Sequence, residues 1–107
     1  MKNANEMRTI ANNHNAQFEI NLADDIIDRK VEEVILRSAK KGEYEARIGV
    51  ETLVIAVRYG MQNGNEIVEK AKYSGVLKRA KELAEANGYK AEFVGDFQIA
   101  IKWNGEE

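Results

Sequence analysis

Apolar residues between residues 24 and 41 recur every three or four positions, which is the spacing of one helix face. Acidic residues are concentrated at the start of this stretch and lysines at its end, where they complement the helix dipole. Gly42 follows as a left-handed cap. The pattern predicts an amphipathic helix over residues 24–41. Its apolar positions are Ile27, Val31, Val34, Ile35 and Ala39.

A two-residue alternation replaces the helical spacing directly after this helix. It predicts a strand over residues 44–50 with one face buried under the helix. The apolar run at residues 53–59 is rich in β-branched residues and favours a second, more buried strand, although a run this short also fits a buried helix. The alternating apolar residues of the first strand are Tyr44, Ala46, Ile48 and Val50.

The next segment, residues 60–65, contains two glycines and two asparagines and therefore predicts a loop. Asn65 is expected to cap a helix that begins at Glu66. Helical spacing then continues to residues 87 and 88, with an interruption at residues 74 and 75. The interruption predicts either a kink or the junction of two shorter helices.

Apolar residues alternate again near the end of the chain and predict a β-hairpin with one buried face. A two-residue turn would place the two phenylalanines on different faces, whereas a three-residue bulged turn at residues 94–96 keeps them together. We therefore predict the longer turn, with Phe93 paired to Phe97 and Ala91 paired to Ile99. The apolar residues expected on the buried face are Phe93, Phe97, Ile99, Ile101 and Trp103.

These elements predict an α+β fold, in which a small, mainly antiparallel sheet of three to four strands is packed on one face by two long helices. A short N-terminal helix of one or two turns is expected behind Asn3 or Asn5. The whole chain, residues 1–107, is close to the usual size of one domain. Within it, residues 1–20 are predicted to form a loosely packed N-terminal arm.

The charge balance and the apolar runs disfavour several classes of protein. With 18 acidic and 16 basic residues, the net charge is −2, so no strong field attracts a nucleic acid. The longest apolar run, residues 53–57, is far shorter than the about 20 residues of a membrane span, and no signal-peptide pattern is visible. Cysteine is absent, which excludes disulfides and thiolate chemistry. We expect a cytoplasmic protein with no membrane partner.

Residue types that carry catalysis or bind metals occur without the context that those functions need. His14, the single histidine, lies in the polar arm with no orienting partner, so a surface histidine is favoured over a general base. Asp24, Asp28 and Glu32 line one side of a helix, but one helix offers no converging ligand cage. Ser38 and Ser74 lie in no nucleophile motif. The sequence predicts no catalytic residue, no metal ligand and no cofactor, hence no enzyme.

The third helical segment is locally basic and is the candidate interaction surface of the chain. Glutamates are interleaved with its basic residues, so an ordinary salt-bridged face is the favoured interpretation. Trp103 at the end of the last strand is expected to pack against the core, or to anchor a partner if it is half exposed. The residues of this surface are Lys70, Lys72, Tyr73, Lys78, Arg79, Lys81 and Trp103.

The sheet edges suggest a function by association. The chain contains no proline, so its edge strands leave backbone N–H and C=O groups available to another chain. We therefore predict a non-catalytic structural or protein-interaction module that forms homo-oligomers. The alternative is a binder of an anionic metabolite or nucleotide, held by backbone N–H groups at a helix terminus.

Three segments carry a resemblance to a known group of proteins: residues 35–44, which end in a glycine, a glutamate and a tyrosine, residues 83–89 and residues 99–103. In their order they resemble small uncharacterised proteins of tailed bacteriophages and prophages. The resemblance covers about a quarter of the chain. It implies a non-enzymatic accessory or virion-associated protein in a bacterial host cell, and it transfers no functional residues.

Overall fold

A computed structural model describes residues 3–8 and 20–103 and shows the α+β fold expected from the sequence. Residues 4–8 are helical, and the Asn3 side-chain oxygen accepts a hydrogen bond from the Glu6 N–H at 2.9 Å, which is the predicted N-terminal cap. The main elements, in chain order, are α1 (Asp24–Lys40), β1 (Glu45–Gly49), α2 (Val50–Gly60), α3 (Gly64–Ala86), β2 (Lys90–Val94) and β3 (Gln98–Lys102).

The three strands form one antiparallel sheet with the order β1-β3-β2, so the last strand of the chain lies in the middle. Ile101 pairs with Ala46 on one side and with Ala91 on the other. Side chains of paired residues lie on the same face of a sheet. The inner face, defined by Ile99 and Ile101, is covered by the helices, and the opposite face, here called the outer face, carries mostly charged residues.

The core lies between the inner face of the sheet and the three long helices. Ile20 also belongs to it, although the sequence placed residue 20 in a loosely packed arm. His14 and the rest of residues 9–19 lie outside the described part of the chain. The largest fully buried side chains are Ile27, Ile48, Leu53, Val54, Val57, Ile67, Val68, Val76, Leu77, Ile99 and Ile101.

The strand expected at residues 53–59 is wrong, because this segment lies within α2. Its buried residues are Val50, Leu53, Val54 and Val57, which have helical spacing, whereas Ile55 points outward and is 54% exposed. β1 passes directly into α2, and the Val50 N–H donates to the Phe97 carbonyl oxygen at 2.7 Å at the junction. The β-branched composition was overridden by tertiary packing. Three long helices therefore pack on the sheet rather than two.

The hairpin has a three-residue turn, as predicted, but the turn occupies residues 95–97 rather than 94–96. Phe93 pairs with Ile99, and Ala91 pairs with Ile101, so the pairing differs by two residues from the expected one. A shift of two leaves every side chain on its expected face. The predicted pairing of Phe93 with Phe97 is wrong because Phe97 belongs to the turn, where Gly95 has a φ of 64°.

The helix α3 begins at Gly64, two residues before the expected start. The residue before it is Asn63, whose side chain makes no capping hydrogen bond, so the predicted cap at Asn65 is wrong. The expected interruption of this helix exists but is centred on Lys72, which has φ 64° and ψ 168°, rather than at Ser74 and Gly75. α3 therefore consists of two helical segments joined at Lys72.

Replacing Lys72 with glycine is expected to stabilise the protein. The conformation of Lys72 is one that glycine adopts almost alone and costs other residues about 1–3 kcal/mol. Because glycine also loses about 0.5–1 kcal/mol of backbone entropy on folding, the net gain for K72G should be about 1 kcal/mol. Urea unfolding measures this, with K78G in the regular part of α3 as the control, which should lose about 1 kcal/mol. Equal losses in both variants would contradict the strained conformation.

Two similar caps direct the chain from helices into the outer strands. At the end of α1, the Gly42 N–H donates to the Ala39 carbonyl and the Glu43 N–H donates to the Ser38 carbonyl, at 2.9 and 3.1 Å. This is the Schellman arrangement, and the φ of 81° at Gly42 confirms the predicted left-handed cap. Gly88 has a φ of 90° and closes α3 in the same way. Both caps lead within three residues to an edge strand.

Candidate functional site

The outer side of β2 is an open edge, as the backbone hydrogen bonds of the sheet show. The Trp103 N–H donates to the Tyr44 carbonyl at 3.1 Å, and the Phe97 carbonyl accepts from Val50. In an antiparallel ladder, residues of a central strand bond alternately to one neighbour and the other. Residues 97, 99, 101 and 103 therefore bond towards β1, which leaves residues 98, 100 and 102 for β2.

The same alternation determines which backbone groups of β2 point away from the sheet. Residues 90, 92 and 94 face residues 102, 100 and 98 of β3 and bond to them. Ala91 and Phe93 therefore direct their N–H and C=O groups outward, and Tyr89 directs its C=O outward. The Tyr89 N–H donates to the Ala84 carbonyl at 3.1 Å in the cap of α3, whereas no backbone hydrogen bond joins the outward groups to another part of residues 3–8 and 20–103. We call this row of groups, with the side chains of residues 89–93, the β2 edge.

The helix layer covers the inner face unevenly and stops short of the β2 edge. On β1 the inner-face residues Ala46 and Ile48 are buried, but on β2 the Phe93 side chain is 51% exposed. The Lys81 ammonium of α3 lies 5.6 Å from the centre of the Phe93 ring, at cation–π distance. The predicted burial of Phe93 is therefore wrong, as is that of Phe97, which is 63% exposed in the turn.

Tyr89 and Trp103 lie side by side at one end of this edge, just before β2 begins and just after β3 ends. Their rings meet edge to face, with centroids 6.2 Å apart and planes at 89°. Both side chains are partly buried against the core, so the packing expected for Trp103 is present. The arrangement holds Tyr89 at the start of β2 with one side of its ring against protein.

Charged side chains of alternating sign cross the outer face of the sheet. The Lys102 ammonium lies 3.1 Å from a Glu92 carboxylate oxygen and 3.7 Å from one of Glu45. The hydrogen bond that Lys102 donates to Glu92, together with the charges of both glutamates, raises the pKa of Lys102 above its ordinary value. On the β2 edge itself, Lys90 and Glu92 carry opposite charges on the same face. A groove of about 610 Å³ runs beside them, lined in part by Glu85 and Ala100.

Arg79, part of the predicted basic surface, binds within the chain. Its guanidinium makes two hydrogen bonds to the Asp24 carboxylate, at 2.7 and 2.6 Å, and lies 3.7 Å from Glu82. The hydrogen bond with Asp24 is the main reason that the pKa of Arg79 is raised. Because this bidentate pair is mostly shielded from solvent, it ties the start of α1 to the middle of α3.

The other predicted surface residues are distributed on both sides of the break in α3. Lys81 binds Glu85 at 3.1 Å in addition to lying over Phe93. The structure therefore divides the basic segment, and its role in binding a partner stays a prediction. The exposed members of the predicted surface are Lys70, Lys72, Tyr73 and Lys78.

The acidic row on α1 is also divided. Asp24 is bound to Arg79, whereas Asp28 and Glu32 line a groove of about 200 Å³ between α1 and the end of α3, together with Leu83 and Asn87. Among residues 3–8 and 20–103, no group of three or more histidine, cysteine, aspartate or glutamate side chains could hold a metal ion.

No helix in the described part of the chain combines the length and apolar character needed to cross a membrane.

The sequence predicted open sheet edges but not which edge exposes aromatic surface. The alternation of Lys90, Ala91 and Glu92 was a visible signal of a half-exposed strand. The exposure of Phe93 was not predictable because it depends on where α3 ends relative to the sheet. From the sequence alone, the aromatic residues at alternating positions of the hairpin were therefore assigned to the core.

No family model, no curated protein and no solved structure matches the chain. The resemblance to bacteriophage proteins therefore stays a prediction.

Proposed function

We propose that this protein is a non-catalytic protein-interaction module that self-associates through the β2 edge. The observation that carries the proposal is the combination of outward backbone groups, namely the C=O of residue 89 and both groups of residues 91 and 93, with the half-exposed ring of Phe93. Unpaired edge groups and an exposed aromatic side chain are what strand addition uses for affinity.

The β2 edge lacks several devices by which edge strands avoid pairing. Proline is absent from the chain, and the pairing of β2 with β3 runs through residues 90–94 without a bulge. Its charged residues, Lys90 and Glu92, are of opposite sign and lie on the outer face, so they do not present a uniform charge to a second copy. The edge is therefore regular and electrically balanced.

Proline at position 91 is expected to abolish self-association without unfolding the protein. The Ala91 N–H points out of the sheet, so A91P removes a donor of the open edge and leaves the ladder between β2 and β3 intact. Sedimentation equilibrium at tens of micromolar should show a dimer or larger oligomer for the natural sequence and a monomer for A91P. Circular dichroism checks that the fold is retained.

R47P is the matched control for this experiment. By the same alternation, Arg47 directs its N–H out of the sheet at the other edge, on β1, and its substitution should leave the oligomer intact. A monomeric natural protein over the whole concentration range would refute the proposed self-association. Dissociation by R47P alone would move the interface to β1.

The alternative function, binding of an anionic ligand at a helix terminus, has weaker support. The first residue of α3, Gly64, lies against the backbone of α2 at Val57, so this helix N-terminus abuts protein. The Gly64 N–H also donates to the Met61 carbonyl at 3.2 Å. The geometry favours the interaction module. We place its action in a bacterial cell or a virion, in keeping with the bacteriophage resemblance.

A further inference from the structure

We propose that two copies of this chain join by antiparallel pairing of β2 with β2, across a two-fold axis that passes beside Ala91. The two three-stranded sheets then form one continuous six-stranded sheet. This inference rests on the proposed function and adds the partner, the symmetry and the register.

The backbone limits the possible registers. Ala91 and Phe93 direct their N–H and C=O groups outward, as Tyr89 does its C=O, and in an antiparallel pair such residues must face each other. A symmetric pair must therefore be centred on one of the residues 90 to 93, not between two residues. Centring on Ala91 places Ala91 opposite Ala91 of the partner subunit and forms about four backbone hydrogen bonds, because the Tyr89 N–H of each copy is already bound to Ala84.

The charges select one of these registers. With the axis at Ala91, Lys90 lies opposite Glu92 of the partner subunit, and symmetry repeats this pair. With the axis at residue 90 or residue 92, identical charges face each other, which destabilises strand pairing. With the axis at Phe93, neither Lys90 nor Glu92 faces an opposite charge within the strand. The register at Ala91 alone makes both charged residues of the edge complementary.

The aromatic residues favour the same register. On the inner face, Tyr89 lies opposite Phe93 of the partner subunit, again twice by symmetry. Cross-strand aromatic pairs are among the stabilising pairs of antiparallel sheets. Phe93, left half exposed by the helix layer, gains a ring beside it, while Tyr89 is already held by Trp103. The small Ala91 side chain lies at the axis, where two strands approach without steric conflict.

The β1 edge fits a second copy less well. Its inner-face residues Ala46 and Ile48 are already buried under the helices, so pairing there covers little further apolar surface. The edge that gains most from a second copy is therefore β2.

Charge reversal on the β2 edge tests the register. K90E places two glutamates opposite each other on each side of the axis, and E92K does the same with two lysines. Each variant should raise the dissociation constant of the dimer about 10- to 100-fold, because two favourable pairs become two repulsive ones. E92K also removes the Lys102 partner within the chain. R47E on β1 is the matched control and should dimerise as the natural protein does.

Restored association in a mixture of two complementary variants cannot result from general destabilisation of the protein. In a mixture of K90E and E92K, every glutamate of one chain faces a lysine of the other, so the mixture should form a one-to-one heterodimer near the natural affinity. The double variant K90E/E92K should likewise form a homodimer again. Analytical ultracentrifugation with one chain labelled measures both, and thermal melts check the fold of each variant.

The possible failures are distinguishable. If the natural protein is monomeric at all concentrations, the proposed function itself is refuted. If it is a dimer that K90E and E92K leave unchanged, or if the mixture of the two does not associate, self-association stands and the register at Ala91 is overturned. If R47E loses the dimer and K90E retains it, the interface lies on β1 and the inference is overturned as well.

Discussion

Replacing Gly64 with alanine should destabilise the protein by about 3 kcal/mol or more, the largest effect we expect from adding a single methyl group. Gly64 is buried at the start of α3, where the chain has just left α2. A Cβ atom at this position would overlap the carbonyl oxygen of Val57 and lie 2.8 Å from the Arg58 Cα. Both contacts are with backbone atoms, which cannot rotate out of the way.

The cost arises because α2 and α3 must separate to admit the methyl group. The neighbouring core side chains Val57, Ile67 and Val68 are fully buried, so separation exposes apolar surface and loosens close packing. Urea unfolding measures the change in the free energy of unfolding. G75A is the control, since a Cβ there meets only the Ala71 Cβ, at 3.3 Å, and its cost should stay within about 1 kcal/mol. Equal stability of the two variants would contradict the close contact of α2 with α3.

Replacing Leu53 with alanine is expected to cost about 3 kcal/mol, whereas I55A should change stability by less than about 1 kcal/mol. Leu53 is 0% exposed in the core, and Ile55 is 54% exposed on the opposite side of α2. The loss at Leu53 combines the lost burial of three carbon atoms with the cavity that remains. At Ile55, little apolar burial is lost, and alanine has the higher helix propensity.

This pair of variants also separates the two structures that the sequence allowed for residues 53–59. Residues two apart lie on one face of a strand but on nearly opposite sides of a helix. A strand would therefore make L53A and I55A similarly costly, and the helix makes them different. The denaturant midpoints of the two variants distinguish the helix from the strand, provided that the free energy of unfolding depends on denaturant concentration equally in both. Similar losses would contradict α2.

The variants of the core and the variants of the β2 edge test different properties of the protein. α2 and α3 meet at Gly64, which lies at the opposite end of α3 from the cap that leads into β2. G64A therefore tests the packing of the helices. A91P and K90E test the β2 edge of the sheet. Variants of the first kind should lose stability and association together, whereas variants of the second kind should lose association alone.

Much of the architecture follows from local chemistry that is readable in the sequence. The amphipathic pattern of residues 24–41, the glycine cap at Gly42 and the charged alternation of β1 all correspond to elements in the structure. These signals are strong because they combine periodicity with a cap or a turn residue at the boundary. The length of the last turn was also predictable, since the face of each strand residue depends on it.

The sequence by itself determined the class of fold, the boundaries of α1 and the side of the sheet on which each hairpin residue lies, because these depend on neighbours along the chain. Only the tertiary structure decided that residues 53–59 form a helix, that α3 begins at Gly64 and that Phe93 remains half exposed. Each of these depends on contacts between different helices and strands, such as Val57 with Gly64 or Lys81 with Phe93. The β2 edge is open for the same reason, since the reach of the helix layer over the sheet is a property of packing and not of local pattern.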